Sequence, residues 1–300
     1  MLGHGAVEMP VLEHPQQSLR RELPPFPGAR SHLSCAWIQR VSSAGPPYSH
    51  RALATGCVEL SADLGSGRLT GSGPRQRPRQ VSLAPGTTLV GVRFRLGAAS
   101  ALLGVSTSEL VEENVELADV WGHAAHDLAS KIHTSTSAEV AARLLAHAVA
   151  VRGKEAAGVD PLVLESVTRL HPGGVGGVQQ LCSTLFVSER QLRRRLVAAL
   201  GFGPKTLQRN LRFRGFLALT DGAESSGLEL GRLASMLGYA DQAHLTRECV
   251  AFTLLPPRQF LVEDSAICPC EPRSYRFDID AARSLADSHR VARPSRTAAF

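Results

Sequence analysis

VSERQLRRRL, from Val187 to Leu196, reads as the opening of a helix that hides one face and arms the other. Ser188 stands where an N-cap belongs, and Gln191 follows three residues later, the spacing of a capping box. Leu192, Leu196 and Leu200 recur at steps of four and share one side, whereas Arg190, Arg193 and Arg194 fall roughly opposite. Just upstream, Val178, Leu181, Cys182 and Leu185 give a short helix an apolar face before Phe186 and Val187 make a tight turn. An apolar helix, a turn and a capped helix with basic side chains outward make a unit whose second helix can enter a major groove.

The plan repeats. In LGYADQAHLTRE, Leu237 to Glu248, Gly238 is placed as the C-terminal cap of a helix carrying Leu230, Leu233, Ala234 and Leu237, and Asp241 caps the next. Leu245, Cys249 and Phe252 point inward, leaving Gln242, Ala243, His244, Thr246 and Arg247 to face a partner. Between the copies, Pro204 to Thr220 reads as a helix with Leu207, Leu211 and Leu217 buried. At 1.5 Å per residue it spans roughly 25 Å, a strut able to hold two recognition helices in successive grooves about 34 Å apart.

Charge agrees. The 300 residues carry a formal net charge of +6, and of 33 basic residues only Lys131, Lys154 and Lys205 are lysines. Arginine suits bidentate contacts to phosphate and guanine. Between Phe186 and Phe216, Arg190, Arg193, Arg194, Arg195, Lys205, Arg209, Arg212 and Arg214 face the single acid Glu189, the clustering expected for a polyanion partner. An ordinary solvated helix face is the bland explanation of a charge run, but the cap, the core pattern and the second copy favour groove contact.

Residues 176–260 resemble the C-terminal domain of AraC/XylS-type transcription regulators, on the strength of VSERQLRRRL, GFGPKTLQRNLRF (Gly201 to Phe213) and LGYADQAHLTRE. Gly238, Tyr239, Asp241, Leu245 and Arg247 fall in that family's register. The resemblance implies that one groove is contacted through Arg190, Arg193 and Arg194 and another through Gln242, Ala243, Thr246 and Arg247. The full candidate DNA-binding set is Ser188, Arg190, Gln191, Arg193, Arg194, Lys205, Gln242, Ala243, His244, Thr246 and Arg247. Departures are Phe186 and Leu254 where glycine is usual, and Leu196 and Cys249 in place of a common core phenylalanine. Ala243 offers no hydrogen-bonding side chain, so the first unit is expected to dominate affinity.

The upstream half is β-rich. Short apolar runs at Leu33 to Val41, Ala52 to Leu60, Gln80 to Leu83 and Thr88 to Leu96 are separated by Gly, Pro and Ser clusters. In the last run Val90, Val92, Phe94 and Leu96 alternate with Leu89, Gly91, Arg93 and Arg95. Helical patterns follow at Ala98 to Leu103, Val120 to Ile132 and Ala138 to Val151, the last with Val140, Leu144, Ala148 and Val151 on one stripe. The run Val90 to Gly104, with Leu110, Leu117 and Ala118 to Trp121, is similar to the N-terminal domain of an AraC-family subgroup. The expected class is α+β: a flexible lead-in over 1–30, a β-rich sensor-like domain with closing helices over 31–156, an all-α DNA-binding domain over 157–262 and a disordered tail over 263–300.

Neither a secretory leader nor a run of about 18 apolar residues is present, so a cytoplasmic chain with no membrane partner is expected. Six scattered cysteines (Cys35, Cys57, Cys182, Cys249, Cys268 and Cys270) read as reduced thiols. Cys268 and Cys270 lack a four-ligand zinc set, and His123, His126, His133 and Asp127 are as well explained by exposed histidines, so no metal and no cofactor are expected. Gly173, Gly174, Gly176 and Gly177 lack the lysine and hydroxyl of a P-loop. The expected function is a non-enzymatic, sequence-specific transcription regulator. Its partners are double-stranded promoter DNA, a small-molecule effector or a second copy at the N-terminal domain, and RNA polymerase if it activates. The competing class is a cysteine-based alkyl-acceptor repair protein, for which Cys35 and Cys57 are too few to build a four-cysteine zinc site.

Overall fold

In the computed structural model the described residues are 18–156, 158–172, 177–220 and 229–267. Among them, eight strands form the N-terminal half: β1 (Ser18–Leu23), β2 (Leu33–Val41), β3 (Tyr48–Ala52), β4 (Glu59–Asp63), β5 (Leu69–Ser72), β6 (Arg79–Leu83), β7 (Thr88–Phe94) and β8 (Asn114–Glu116). Six of these make an antiparallel sheet in the order β1-β2-β7-β4-β5-β8, and β3 pairs with β6 in a separate ribbon.

The period of two sorts the large sheet into two unlike faces. Ala36, Ile38, Leu60, Ala62, Val90 and Val92 form an apolar face, covered by α1 (Ala99–Leu103), α2 (Leu117–Trp121), α3 (His123–His133) and α4 (Ala138–Glu155). The opposite face carries Arg20, Trp37, Gln39, Glu59, Ser61 and Arg93 and lies beneath the β3–β6 ribbon. Trp37 pairs with Gly91 across β2 and β7, and a Cβ on Gly91 would sit 2.2 Å from the indole, so glycine there makes room for the ring.

Several expectations are corrected. Within the expected flexible lead-in, Ser18–Leu23 form a strand, because β1 satisfies its backbone by pairing with β2 from Ser18↔Val41 to Leu23↔Ala36. The run Ala52 to Leu60 is not one strand: β3 ends at Ala52, β4 starts at Glu59, Leu53, Ala54 and Cys57 lie against the C-terminal half, and Val58 returns to the N-terminal core. The helix read from Val120 to Ile132 is two helices, broken at Gly122 with φ 55°. On α4 the buried stripe is Ala138, Ala141, Ala142, Leu145, Ala146 and Val149, displaced by one position from the expected one, and Val151 is 40% exposed. The alanines let the helix axis approach β2 and β7 closely, while Val140, Leu144 and Ala148 flank the contact. Helix α11 (Pro257–Ile267) extends into the expected tail. Residue 157, the inferred boundary, Gly173, Gly174 and Gly176, and Cys268 and Cys270 lie outside the described residues.

The C-terminal half is helical: α5 (Pro161–Arg169), α6 (Val178–Leu185), α7 (Glu189–Leu200), α8 (Pro204–Thr220), α9 (Leu230–Met236), α10 (Gln242–Thr253) and α11. Helix α8 divides its side chains between two cores. Leu207 and Leu211 join Leu181, Leu192, Leu196 and Leu200, whereas Phe213, Phe216 and Leu217 join Leu233, Leu245, Phe252 and Phe260. The second core is aromatic, with Phe213 stacked on Phe252 at 4.5 Å, and it closes around Cys249, which is fully buried. The protein is thus α+β, a β-rich N-terminal domain followed by a helical domain.

Candidate nucleic-acid interface

The two turns between paired helices have one hydrogen-bond pattern. After α6 the Val187 N–H donates to the Cys182 carbonyl at 3.1 Å, and after α9 the Tyr239 N–H donates to the Ala234 carbonyl at 2.9 Å. Each requires a left-handed residue one position earlier. Gly238 supplies it at φ 72°, but in the first copy the residue is Phe186, at φ 53° and 95% exposed. Leu254, ending α10 at φ 65°, has the same strain. An L-residue in this region costs roughly 1–2 kcal/mol, partly offset by glycine's larger loss of backbone freedom on folding. Phe186→Gly and Leu254→Gly are each therefore expected to raise unfolding free energy by about 0.5–1 kcal/mol, which urea denaturation measures. An unchanged or lower midpoint would show that the exposed ring or the leucine makes a compensating contact.

Recognition helix α7 starts as the sequence indicates. The Ser188 hydroxyl accepts from the Gln191 N–H at 3.2 Å, and the Gln191 side chain accepts from the Ser188 N–H at 2.9 Å. Two of the candidate contacts are thereby engaged in holding the helix start. Arg190, Arg193 and Arg194 are exposed, and none of the three has an ion-pair or hydrogen-bond partner among the described residues. Their neighbour Arg195 differs: it pairs with Asp160, Nε to Oδ2 at 2.6 Å, and Asp160 also caps α5 by accepting the Leu162 N–H. Lys205 is exposed near the start of α8.

On α10, Asp241 Oδ1 accepts the His244 N–H at 2.6 Å. The His244 ring turns back over the helix start, where Nδ1 accepts the Ala240 N–H at 3.2 Å, and it packs edge-on against Tyr239. Gln242, Ala243 and Arg247 are exposed; Thr246 is half-buried, with its hydroxyl donating to the Gln242 carbonyl. An ion pair absent from the sequence reading, Arg209 Nε to Glu248 at 2.7 Å, ties α8 to α10. Its residue types and spacing carry no signal in sequence, because the partners lie on different helices.

The N-terminal domain grips the first unit from behind. Thr107 Oγ1 donates to the Ala199 carbonyl at 2.9 Å and Ser106 Oγ to the Ala198 carbonyl at 3.3 Å. Gly201, capping α7 at φ 79°, has no room for a Cβ, which would meet Val111 at 2.7 Å and Pro74 at 2.9 Å. Leu53 and Ala54 enter the second core, and Arg51 pairs with Glu263.

Burial pushes the Cys35 thiol far up and the Cys249 thiol to about 12, the reverse of the activation a nucleophilic cysteine needs. No helix among the described residues is long and apolar enough to cross a membrane.

Residues 181–262 match a family model described as a helix-turn-helix domain, and residues 21–116 match one described as a domain of unknown function, DUF6597. No curated protein matches the chain. Among solved structures it is similar to ToxT from Vibrio cholerae O395 (12% identity, TM-score 0.37, 82% of this chain and 97% of that one). It is also similar to unsaturated fatty acid bound wild-type ToxT from Vibrio cholerae strain SCE256 (11% identity, TM-score 0.39, 86% and 99%). Two capped helices on one connecting helix, within the span that matches the family model, make the C-terminal half a helix-turn-helix domain.

Proposed function

We propose that the protein binds promoter DNA sequence-specifically in the cytoplasm, with α7 in one major groove and α10 in the next, and that its N-terminal domain controls this binding by sensing an effector. The observation that carries the first half is the row Arg190, Arg193 and Arg194, exposed and uncommitted on a helix whose neighbouring arginine is tied back to Asp160. Guanidinium groups held on a rigid helix and unoccupied within the protein suit guanine edges and phosphates. Gln242 and Arg247 of α10 serve the second groove, with Thr246 and Ala243 close to the bases. Ser188, Gln191 and His244 serve chiefly by fixing the helix starts, and Lys205 by reaching backbone phosphate.

Selection of binding sites from a random duplex pool by the intact chain tests this. Enrichment of a bipartite motif with half-sites about one helical turn apart is expected; no enriched motif would overturn it. On the selected site, Arg194→Ala is expected to weaken binding about tenfold or more and Arg247→Ala by less, because α7 presents three uncommitted arginines and α10 one. The reverse order would make α10 the principal reader.

The second half rests on the cavity between the large sheet and the β3–β6 ribbon, about 350 Å³ in volume. A ligand there regulates only if it favours one arrangement of the two domains. Segment 53–57 both lines the cavity and touches the DNA-binding domain: Ala54 N donates to the Phe252 carbonyl, and a Cβ on Gly56 would strike Asn210 and Phe202 of the helical domain.

A further inference from the structure

The interior of a two-layer β domain is ordinarily apolar, and here it is charged. Five arginines (Arg20, Arg68, Arg75, Arg79 and Arg93) line the cavity against the carboxylates Glu59 and Asp63. Glu59 is already shared between Arg93, at 2.6 Å, and Arg20, at 3.5 Å, while Asp63 accepts from the Gly65 N–H and the Ser66 hydroxyl. Arg68 pairs outward with Glu116. The acids are therefore spent, and positive charge remains at Arg75 and Arg79.

The polar atoms left over can all donate. Arg20 Nε, Trp37 Nε1, His50 Nδ1 and Arg75 Nη1 are buried without a hydrogen-bond partner among the described residues, and they reach the cavity from β1, β2, β3 and the segment before β6. The residues Arg20 and Trp37 are 8% and 3% exposed. A buried donor left unmet costs about 1–3 kcal/mol, and four converging on one space call for an occupant that supplies acceptors. The field agrees: burial, then Arg20, hold the His50 ring down to about 4, and burial, then Arg79, lower Arg75.

We propose that this cavity binds a small, hydrophilic anion bearing carboxylate or phosphate oxygens, held by Arg75 and Arg20 with Trp37 donating, and that Arg79 guards its entrance. The proposal rests on the effector reading above and names the ligand class. About 350 Å³ equals the space of roughly a dozen waters, which suits a compact metabolite of about that many non-hydrogen atoms. A long alkyl chain would bury the arginines without partners, and a neutral sugar would leave their charge uncompensated.

The test uses the full chain, with thermal unfolding and titration calorimetry against citrate, inorganic phosphate, glucose and oleate. Citrate or phosphate is expected to raise Tm by about 5 °C or more at a hundredfold excess over Kd, and which of the two does so separates a carboxylate from a phosphate ligand. Arg75→Gln is expected to weaken that binding at least tenfold, while Arg143→Gln, at an exposed residue of α4 outside the cavity, leaves it unchanged. A shift with glucose or oleate but neither anion overturns the anion and keeps the effector reading. Loss of anion binding in Arg143→Gln equal to that in Arg75→Gln overturns the site. No shift with any of the four overturns both readings.

Discussion

Replacing Arg190, Arg193 and Arg194 together by alanine is expected to abolish promoter binding and leave the fold intact. None of the three has an ion-pair or hydrogen-bond partner among the described residues, and all project from α7 into solvent, so their removal costs the protein no internal interaction. Alanine is also the better helix former. A good bidentate contact to a base is worth about 1–3 kcal/mol. Removing all three guanidinium groups at once therefore weakens specific binding by more than about a hundredfold, even if one of them serves only a phosphate. The salt dependence should flatten as well, since each phosphate contact contributes about −0.9 to the slope of log K against log salt. Genome-wide binding of the intact protein and of the triple variant in the native host, with circular dichroism of both, checks the expectation. Promoter peaks that persist in a folded variant would move DNA recognition away from α7.

Arg93→Ala is expected to produce the largest loss of stability, about 3–5 kcal/mol at neutral pH. The Arg93 guanidinium is 2% exposed and joins Glu59 at 2.6 Å and Glu22 at 3.2 Å. Alanine leaves two mostly buried carboxylates without the guanidinium that joins them, and at Glu59 Arg20 and then Arg75 offset only part of that loss. The loss depends on pH in a defined direction. Burial alone would raise the Glu59 carboxyl, but Arg93 and then Arg20 outweigh it and hold the group below the usual carboxylate range. In the native protein the pair therefore contributes stability above the unfolded glutamate pKa, and that contribution is lost as pH falls through the lower folded value. Without Arg93 the largest influence opposing burial is gone, so the variant loses less as the carboxyl protonates. The difference between the two proteins should be greatest near pH 7 and shrink below about pH 4.5, as urea midpoints at a series of pH values will show. A constant difference across that range would mean that packing of the arginine, not its charge, holds the sheet.

The helical domain was legible because its signals are local. The capping box at Ser188 and Gln191, the glycine at 238 and the leucines at steps of four each act within one or two turns. What escaped the sequence depends on pairing across distance. Arg93 alternates with apolar residues on β7, and the alternation does not tell what covers its face. Only the β3–β6 ribbon, folded over from residues far along the chain, turns that face inward and makes it the floor of a cavity. Leu53, Ala54 and Cys57 read as part of a strand because the run is apolar, yet they meet the helical domain rather than a neighbouring strand. On α4 the alanines, unremarkable in a hydrophobicity pattern, mark the closest approach to the sheet.

The hydrogen bonds from Ser106 and Thr107 to the carbonyls of Ala198 and Ala199 have a consequence for how such a protein diversifies. The N-terminal domain holds the recognition helix by its backbone, at the end remote from Arg190, and so is blind to which side chains read the DNA. Substitutions along the outward face of α7 can alter the target sequence without disturbing the grip. On the proposed function, control by the first domain and choice of operator by the second can then be inherited separately, so that descendants would change their targets while keeping their signal.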